Sequence, residues 1–201
     1  MKKMILMLTA LAIIAAGCDF KYVVSFVSLG APEDRVLVGG LPGTWGWGVK
    51  DAATLTFTAR EDMAYDVQFR TEVPEPMRGN LIGEVFRIGE FLFLQVRLPE
   101  DYEHPHPIYG IHLAPVNTFL RIELDGDTLQ AAAMSPDWLA ARVAEDAASQ
   151  ETPARVLKNQ VVLTGSRTEV RAFVEKYASD AEAFPKAEVL ERKISLKTGA
   201  E

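Results

Sequence analysis

Downstream of residue 35 the chain alternates apolar and polar residues in short blocks, the period-two spacing that sends successive side chains to opposite faces of a strand. Thr54-Leu55-Thr56-Phe57-Thr58 places Leu55 and Phe57 on one face. After a turn at Arg60-Glu61-Asp62, the run Tyr65-Asp66-Val67-Gln68-Phe69 repeats the pattern. Gly83 to Arg87 and Phe91 to Leu98 flank Gly89-Glu90, a two-residue hairpin in which glycine supplies positive φ. Val116 to Leu124 and Thr128 to Ala132 flank Asp125-Gly126, the clearest hairpin signal in the chain. Ahead of these, the apolar, β-prone stretch Tyr22 to Leu29 predicts a first strand, broken by Ala31-Pro32-Glu33-Asp34. Roughly eight short strands at this spacing predict a mainly β (α+β) fold, an antiparallel meander forming a barrel or half-barrel.

Two helices are predicted in the C-terminal third. Ser135-Pro136-Asp137 offers an N-cap hydroxyl, a proline at the first helical position and an acid in the first turn. Trp138, Leu139, Arg142 and Val143 then recur at helical spacing. The second helix opens on the capping box Ser166-Arg167-Thr168-Glu169 and carries Val170, Phe173, Val174 and Tyr177 along one stripe. Between the helices, Gln160 to Thr164 reads as a last strand, and the charged residues after Phe184-Pro185 read as a peripheral tail. The expected organisation is a targeting segment (1–17), an N-terminus with a first strand (18–34), one β-rich domain with two late helices (35–185) and a tail (186–201).

The targeting segment has three regions. Lys2 and Lys3 provide positive charge, Ile5 to Ala16 is uncharged and mainly aliphatic, and Ala15-Ala16-Gly17 places small residues before Cys18. A helix over the apolar region covers about 18 Å, short of the ~30 Å hydrocarbon core, and Asp19 and Lys21 end the run. Ala15-Ala16-Gly17-Cys18 resembles the lipobox of bacterial lipoproteins, although Ala15 stands where that family most often has leucine. The resemblance implies cleavage between Gly17 and Cys18, diacylglycerol (and so palmitate-type chains) on the Cys18 thiol, and acylation of the freed amine. It also implies a membrane anchor in the bacterial cell envelope, with the domain facing the periplasm or the cell exterior.

A net charge of −7 disfavours phosphate backbones, so nucleic acid is not an expected partner. Residues 1–17 carry Lys2 and Lys3 and no acid, so the remainder is more acidic still. Cys18 is the sole cysteine, which rules out an internal disulfide and leaves no thiol nucleophile once it is lipidated.

Leu41-Pro42-Gly43-Thr44-Trp45, at the head of the meander, resembles the Gly-x-Trp signature of lipocalins and related calycins, in which the tryptophan closes one barrel end. Pro42 before the glycine departs from that signature, and the sequence assigns no terminal arginine to partner the tryptophan. The Pro115-Val116-x-Thr118 strand, the Leu-Asp-Gly-Asp hairpin and the Ser-Pro-Asp-Trp helix start resemble uncharacterised bacterial lipoproteins of similar length, a likeness that implies no activity.

Candidate chemistry is sparse. Trp45 and Trp47 lie two apart and share a strand face, and with Phe57 and Phe69 on neighbouring strands they form a candidate cup for a small apolar ligand. His104, His106 and His112, beside Glu100, Asp101 and Glu103, have metal-ligand chemistry, but the prolines around them predict an exposed loop. Gly165-Ser166-Arg167 lacks the Gly-x-Ser-x-Gly elbow, Asp125 and Asp127 are explained by turn chemistry, and no glycine pair precedes a helix start as a phosphate cradle would. No catalytic residue, cofactor or resident metal is therefore assigned. The expectation is a lipid-anchored, non-enzymatic module of the envelope, either one that binds a small apolar ligand or an envelope protein or a structural or assembly accessory. The alternatives are a metal-dependent hydrolase built on His104 and His106, and a lipocalin-like carrier.

Overall fold

The computed structural model describes residues 22–47, 53–72, 76–100, 102, 116–146, 152–157, 160–185 and 187–193. Its strands are β1 (Tyr22–Ser25), β2 (Gly43–Trp47), β3 (Ala53–Ala59), β4 (Tyr65–Thr71), β5 (Met77–Ile88), β6 (Phe91–Arg97), β7 (Thr118–Asp125) and β8 (Thr128–Ala133). Helix α1 (Pro136–Glu145), β9 (Ala154–Leu157), β10 (Gln160–Leu163), α2 (Arg167–Tyr177) and β11 (Glu188–Arg192) follow. Strands β2 to β8 run as an antiparallel meander, and β11 pairs with both β8 and β2 to close an eight-stranded barrel. The predicted fold class holds, with the barrel fully closed.

Alternation decides what fills the barrel. In β4, Tyr65, Val67 and Phe69 are buried while Asp66, Gln68 and Arg70 are exposed. The inward residues join Trp45, Leu55, Phe57, Leu81, Val85, Leu94, Leu120, Leu129 and Leu190 in one apolar cluster. Each fully buried large side chain contributes about 1.5–3 kcal/mol, so this cluster is a main source of stability. Apolar side chains point in and, over β3 and β4, polar ones point out, the reverse of a barrel whose outer wall meets lipid.

On the far side, the second half of β5 and the middle of β6 are buried on both faces, as are Phe119 and Leu120 at the start of β7. A three-stranded sheet, with β10 parallel to β1 and antiparallel to β9, lies with α1 and α2 over their outer wall. Phe86, Phe93 and Phe119 from the barrel meet Val23, Val161, Leu139 and Phe173 from this second layer. Ser135 accepts from Trp138 N at the start of α1. Ser166 and Glu169 exchange both capping-box bonds at α2, as their spacing predicts.

Four expectations are corrected. Residues 188–192 are not a peripheral tail but the strand that completes the barrel. Strand β10 is not the last strand of the meander but the centre of the second sheet. Strand β1 shares a buried cluster with both helices, so residues 22–34 belong to the domain. The tight hairpin is centred on Gly126-Asp127, since Asp125 pairs with Thr128, one residue later than predicted. There, as at Gly89-Glu90, glycine occupies the first central position with positive φ (55° and 57°), the arrangement favoured in type II′ turns.

Candidate functional site

One end of the barrel is shut by an arginine lid. In β11, Leu190 is buried, and Arg192, two residues on along the same face, lies over Trp45 with its guanidinium carbon 4.2 Å from the ring centroid. Its Nη1 donates to the Pro42 carbonyl at 2.9 Å, Nη2 donates to the Gly40 carbonyl, and Nε donates to Asp127 Oδ1 at 2.9 Å. Trp45 Nε1 donates to the Leu41 carbonyl at 2.9 Å. Arg192 is thus the partner for the Gly43-Thr44-Trp45 tryptophan that the sequence leaves unassigned. No local pattern could have found it, because the bonded groups stand 150 residues apart.

Three residues of the predicted cup meet inside the barrel, where side chains occupy the space between them. Trp45 is fully buried, and Phe57 packs edge-on against Tyr65 with centroids 6.2 Å apart. The Phe69 ring lies against its cross-strand partner Gly79, where an added Cβ would stand 2.0 Å from Phe69 Cε1. Tyr65 Oη accepts from Val38 N at 2.7 Å, and burial raises the hydroxyl's pKa above its ordinary value. Trp47 lends its backbone to β2, and its side chain lies outside the described residues. Gly17, Cys18, His104, His106 and His112 also lie outside them. Among the described residues, no group of three or more His, Cys, Asp or Glu side chains converges. Glu100 is described, with its carboxylate largely exposed and 3.8 Å from Arg97.

The second concentration of chemistry is an open cleft of about 620 Å³ on the outer wall, between β5, β6 and the segment that follows β1. Its floor is polar and deep. Glu84 and Gln95 are directly paired across β5 and β6, 3% and 1% exposed, on the outward face, where apolar side chains flank them. Gln95 Nε2 donates to Glu84 Oε2 at 2.9 Å and to Ser28 Oγ at 3.1 Å, and its Oε1 accepts from Leu29 N at 2.8 Å. Arg35 Nη2 donates to Glu84 Oε1, and Arg35 Nη1 donates to the Asp62 carbonyl at 3.1 Å. The Asp62 carboxyl is held below its ordinary range by the hydrogen bond from Arg60, with a smaller pull from Arg35. Arg35 Nε is buried with no hydrogen-bond partner among the described residues, a desolvation cost within the floor.

Around this floor stand two arginines whose charge is only loosely met. Arg97 lies 3.8 Å from both Glu84 and Glu100, too far for a hydrogen bond, and donates at 3.4 Å to the Leu98 carbonyl. Arg167, the first residue of α2, makes no hydrogen bond or ion pair with another described residue. The walls are apolar. Phe26, Leu98, Tyr102 and Val116 are four of the nine large apolar side chains left exposed among the described residues, and all four line this cleft. These four exposed apolar side chains are gathered around placed charges in one concave surface, the kind of lining a small-molecule cleft has.

A scan against protein-family models and searches of curated proteins and of solved structures all find no match for this chain. The site must be read from its own chemistry. The cleft has arginines and apolar walls, while its carboxylate Glu84 is engaged by Arg35 and Gln95. That arrangement can hold an anion with an apolar body, and it presents no activated nucleophile among the described residues. Sequence reasoning missed it, yet one signal was present: Glu84 and Gln95 each interrupt a locally apolar run, Leu81–Phe86 in β5 and Phe91–Val96 in β6, and a buried polar side chain there requires a partner.

Proposed function

We propose that this chain is a non-enzymatic binding protein of the bacterial envelope, anchored through lipid on Cys18, whose ligand occupies the outer cleft rather than the barrel interior. The observation that carries this reading is the cleft itself: about 620 Å³, with apolar walls and the loosely met arginines Arg97 and Arg167. A volume of this size suits a small ligand. The interior, by contrast, is occupied by Trp45, Phe57, Tyr65 and Phe69. The anchor rests on Ala15-Ala16-Gly17-Cys18.

Two experiments test the two halves. Metabolic labelling with a palmitate analogue should mark the wild type and not Cys18→Ala; equal labelling defeats the anchor. Methyl and aromatic NMR during a small-molecule fragment screen should move the signals of Phe26, Leu98, Tyr102 and Val116. Shifts concentrated at Phe57 and Phe69 would instead favour a lumen carrier.

That second reading, a lipocalin-like carrier, has its own support in the Arg192 guanidinium stacked on Trp45 of the Gly43-Thr44-Trp45 motif. It requires a ligand to displace the Phe57–Tyr65 pair, and the outer cleft requires no such displacement.

A further inference from the structure

We infer that the cleft takes an amphiphilic anion, a single oxyanion head on an apolar chain, with the head at Arg97 and Arg167 and the chain along Phe26 and Val116. The inference rests on the binding reading above and narrows it to one ligand chemistry. Charge matching sets the head. Arg35 is already paired by Glu84, so its charge is spent within the floor. Arg97 shares the buried Glu84 with Arg35 at 3.8 Å and has the 91% exposed Glu100 at the same distance, where water screens it, while the Arg167 side chain has no ion-pair partner among the described residues. Among the described residues of the cleft three arginines, Arg35, Arg97 and Arg167, stand against two carboxylates, Glu84 and Glu100, so an anionic head adds the missing negative charge and a cationic head would add to the surplus.

The walls set the rest of the molecule. A compact polar anion would leave Phe26, at 49% exposure, and Tyr102, at 47%, facing water. A chain laid along them removes that surface from water and makes the apolar rim intelligible. Two sources share this chemistry, a free long-chain carboxylate and the acidic head region of an anionic membrane lipid.

The test uses the full chain in phosphatidylcholine nanodiscs with a ten-carbon carboxylate bearing a tail diazirine. After photolysis, crosslinked peptides are mapped by mass spectrometry. Labels on the Phe26, Tyr102 or Val116 peptides, competed by decanoate and not by decyltrimethylammonium, are expected. Arg97→Gln and Arg167→Gln should each reduce labelling by about tenfold, the loss typical of one charge-assisted contact. Arg70→Gln, an exposed substitution on β4, should leave it unchanged, and melting temperatures report that each variant is folded. Replacing the discs by phosphatidylglycerol discs separates the sources. Suppressed labelling assigns the site to the membrane lipid, and undiminished labelling assigns it to the free carboxylate; both support the anionic head. Cleft labelling that the cationic amphiphile competes equally, and that neither arginine variant reduces, overturns the anionic inference while leaving a binding cleft. Labelling confined to other peptides overturns the inference and the cleft reading together.

Discussion

Replacing Arg192 by alanine should unfasten the barrel end, and the structure sets the size of the effect. The side chain is 24% exposed, so its bonds are partly shielded from water. It donates to two backbone carbonyls, of Pro42 and Gly40, that no strand partner satisfies in its place. Charged donors to carbonyls contribute about 1–1.5 kcal/mol each at such a half-open position, since the carbonyls can be rehydrated when the donor leaves. Stacking on Trp45 at 4.2 Å adds about 1 kcal/mol. The Asp127 carboxylate is 77% exposed, so its ion pair contributes little. Arg192→Ala should therefore cost about 3–4 kcal/mol, a fall in melting temperature of roughly 10 °C for a domain of this size. Asp127→Ala should lower it by no more than about 3 °C. Arg192→Lys keeps the charge but neither the fork nor the planar stack, and should recover less than half of the loss. Differential scanning calorimetry at neutral pH measures all three. If Arg192→Ala melts within about 2 °C of the wild type, the lid is a surface decoration and the argument fails.

Further outcomes follow from other parts of the frame. Gly126 and Gly39 both have open space where a Cβ would stand, but only Gly126 sits at positive φ; Gly126→Ala should cost about 1–2 kcal/mol by urea titration, with Gly39→Ala near neutral. Gln95→Leu strips a partner from Leu29 N and from Glu84, and should cost about 2–4 kcal/mol in the same titration, against about 0.5 or less for exposed Gln68→Leu. Equal costs for the two glutamine variants would dissolve the case for a fastening network. The bonds from Ser166 lower the Glu169 pKa, so its stabilising effect is present above the ordinary carboxylate range and is lost as pH falls through the depressed value. Amide exchange in the first turn of α2 should accelerate over that acid range in the wild type and be nearly pH-independent, beyond intrinsic exchange, in Glu169→Gln.

Much of the barrel was legible because one face of β3 and β4 meets water, so Leu55, Phe57, Val67 and Phe69 stand out against Thr54, Asp66 and Gln68. Glycines at the hairpins and the Ser166/Glu169 box are local signals, and they placed β5–β6, β7–β8 and α2. The closing strand was not legible because its single buried apolar residue, Leu190, sits among Glu188, Glu191 and Arg192, which reads as solvated chain. The first half of β5 was hidden for a different reason. At Gly79 the packing is supplied from the neighbouring strand by Phe69, leaving no apolar residue to register in the pattern. The cleft was illegible as a site because Phe26, Arg35, Glu84, Arg97, Tyr102 and Arg167 come from separate elements, and only the β5–β6 register brings Glu84 to Gln95.

Placing β11 behind α1, the second sheet and α2 has a consequence for the order in which the molecule can be made. A ribosome delivers β2 to β8 first, and the strand that joins their two ends emerges only after the intervening elements, on the order of seconds later at usual synthesis rates. Until then β2 and β8 carry unpaired backbone donors and acceptors, and such edges invite pairing with another chain. The nascent protein is therefore most vulnerable to aggregation between the synthesis of β8 and that of β11. Deleting β11 alone should harm yield far more than its five residues suggest, and a chaperone that shields strand edges should matter most in that interval.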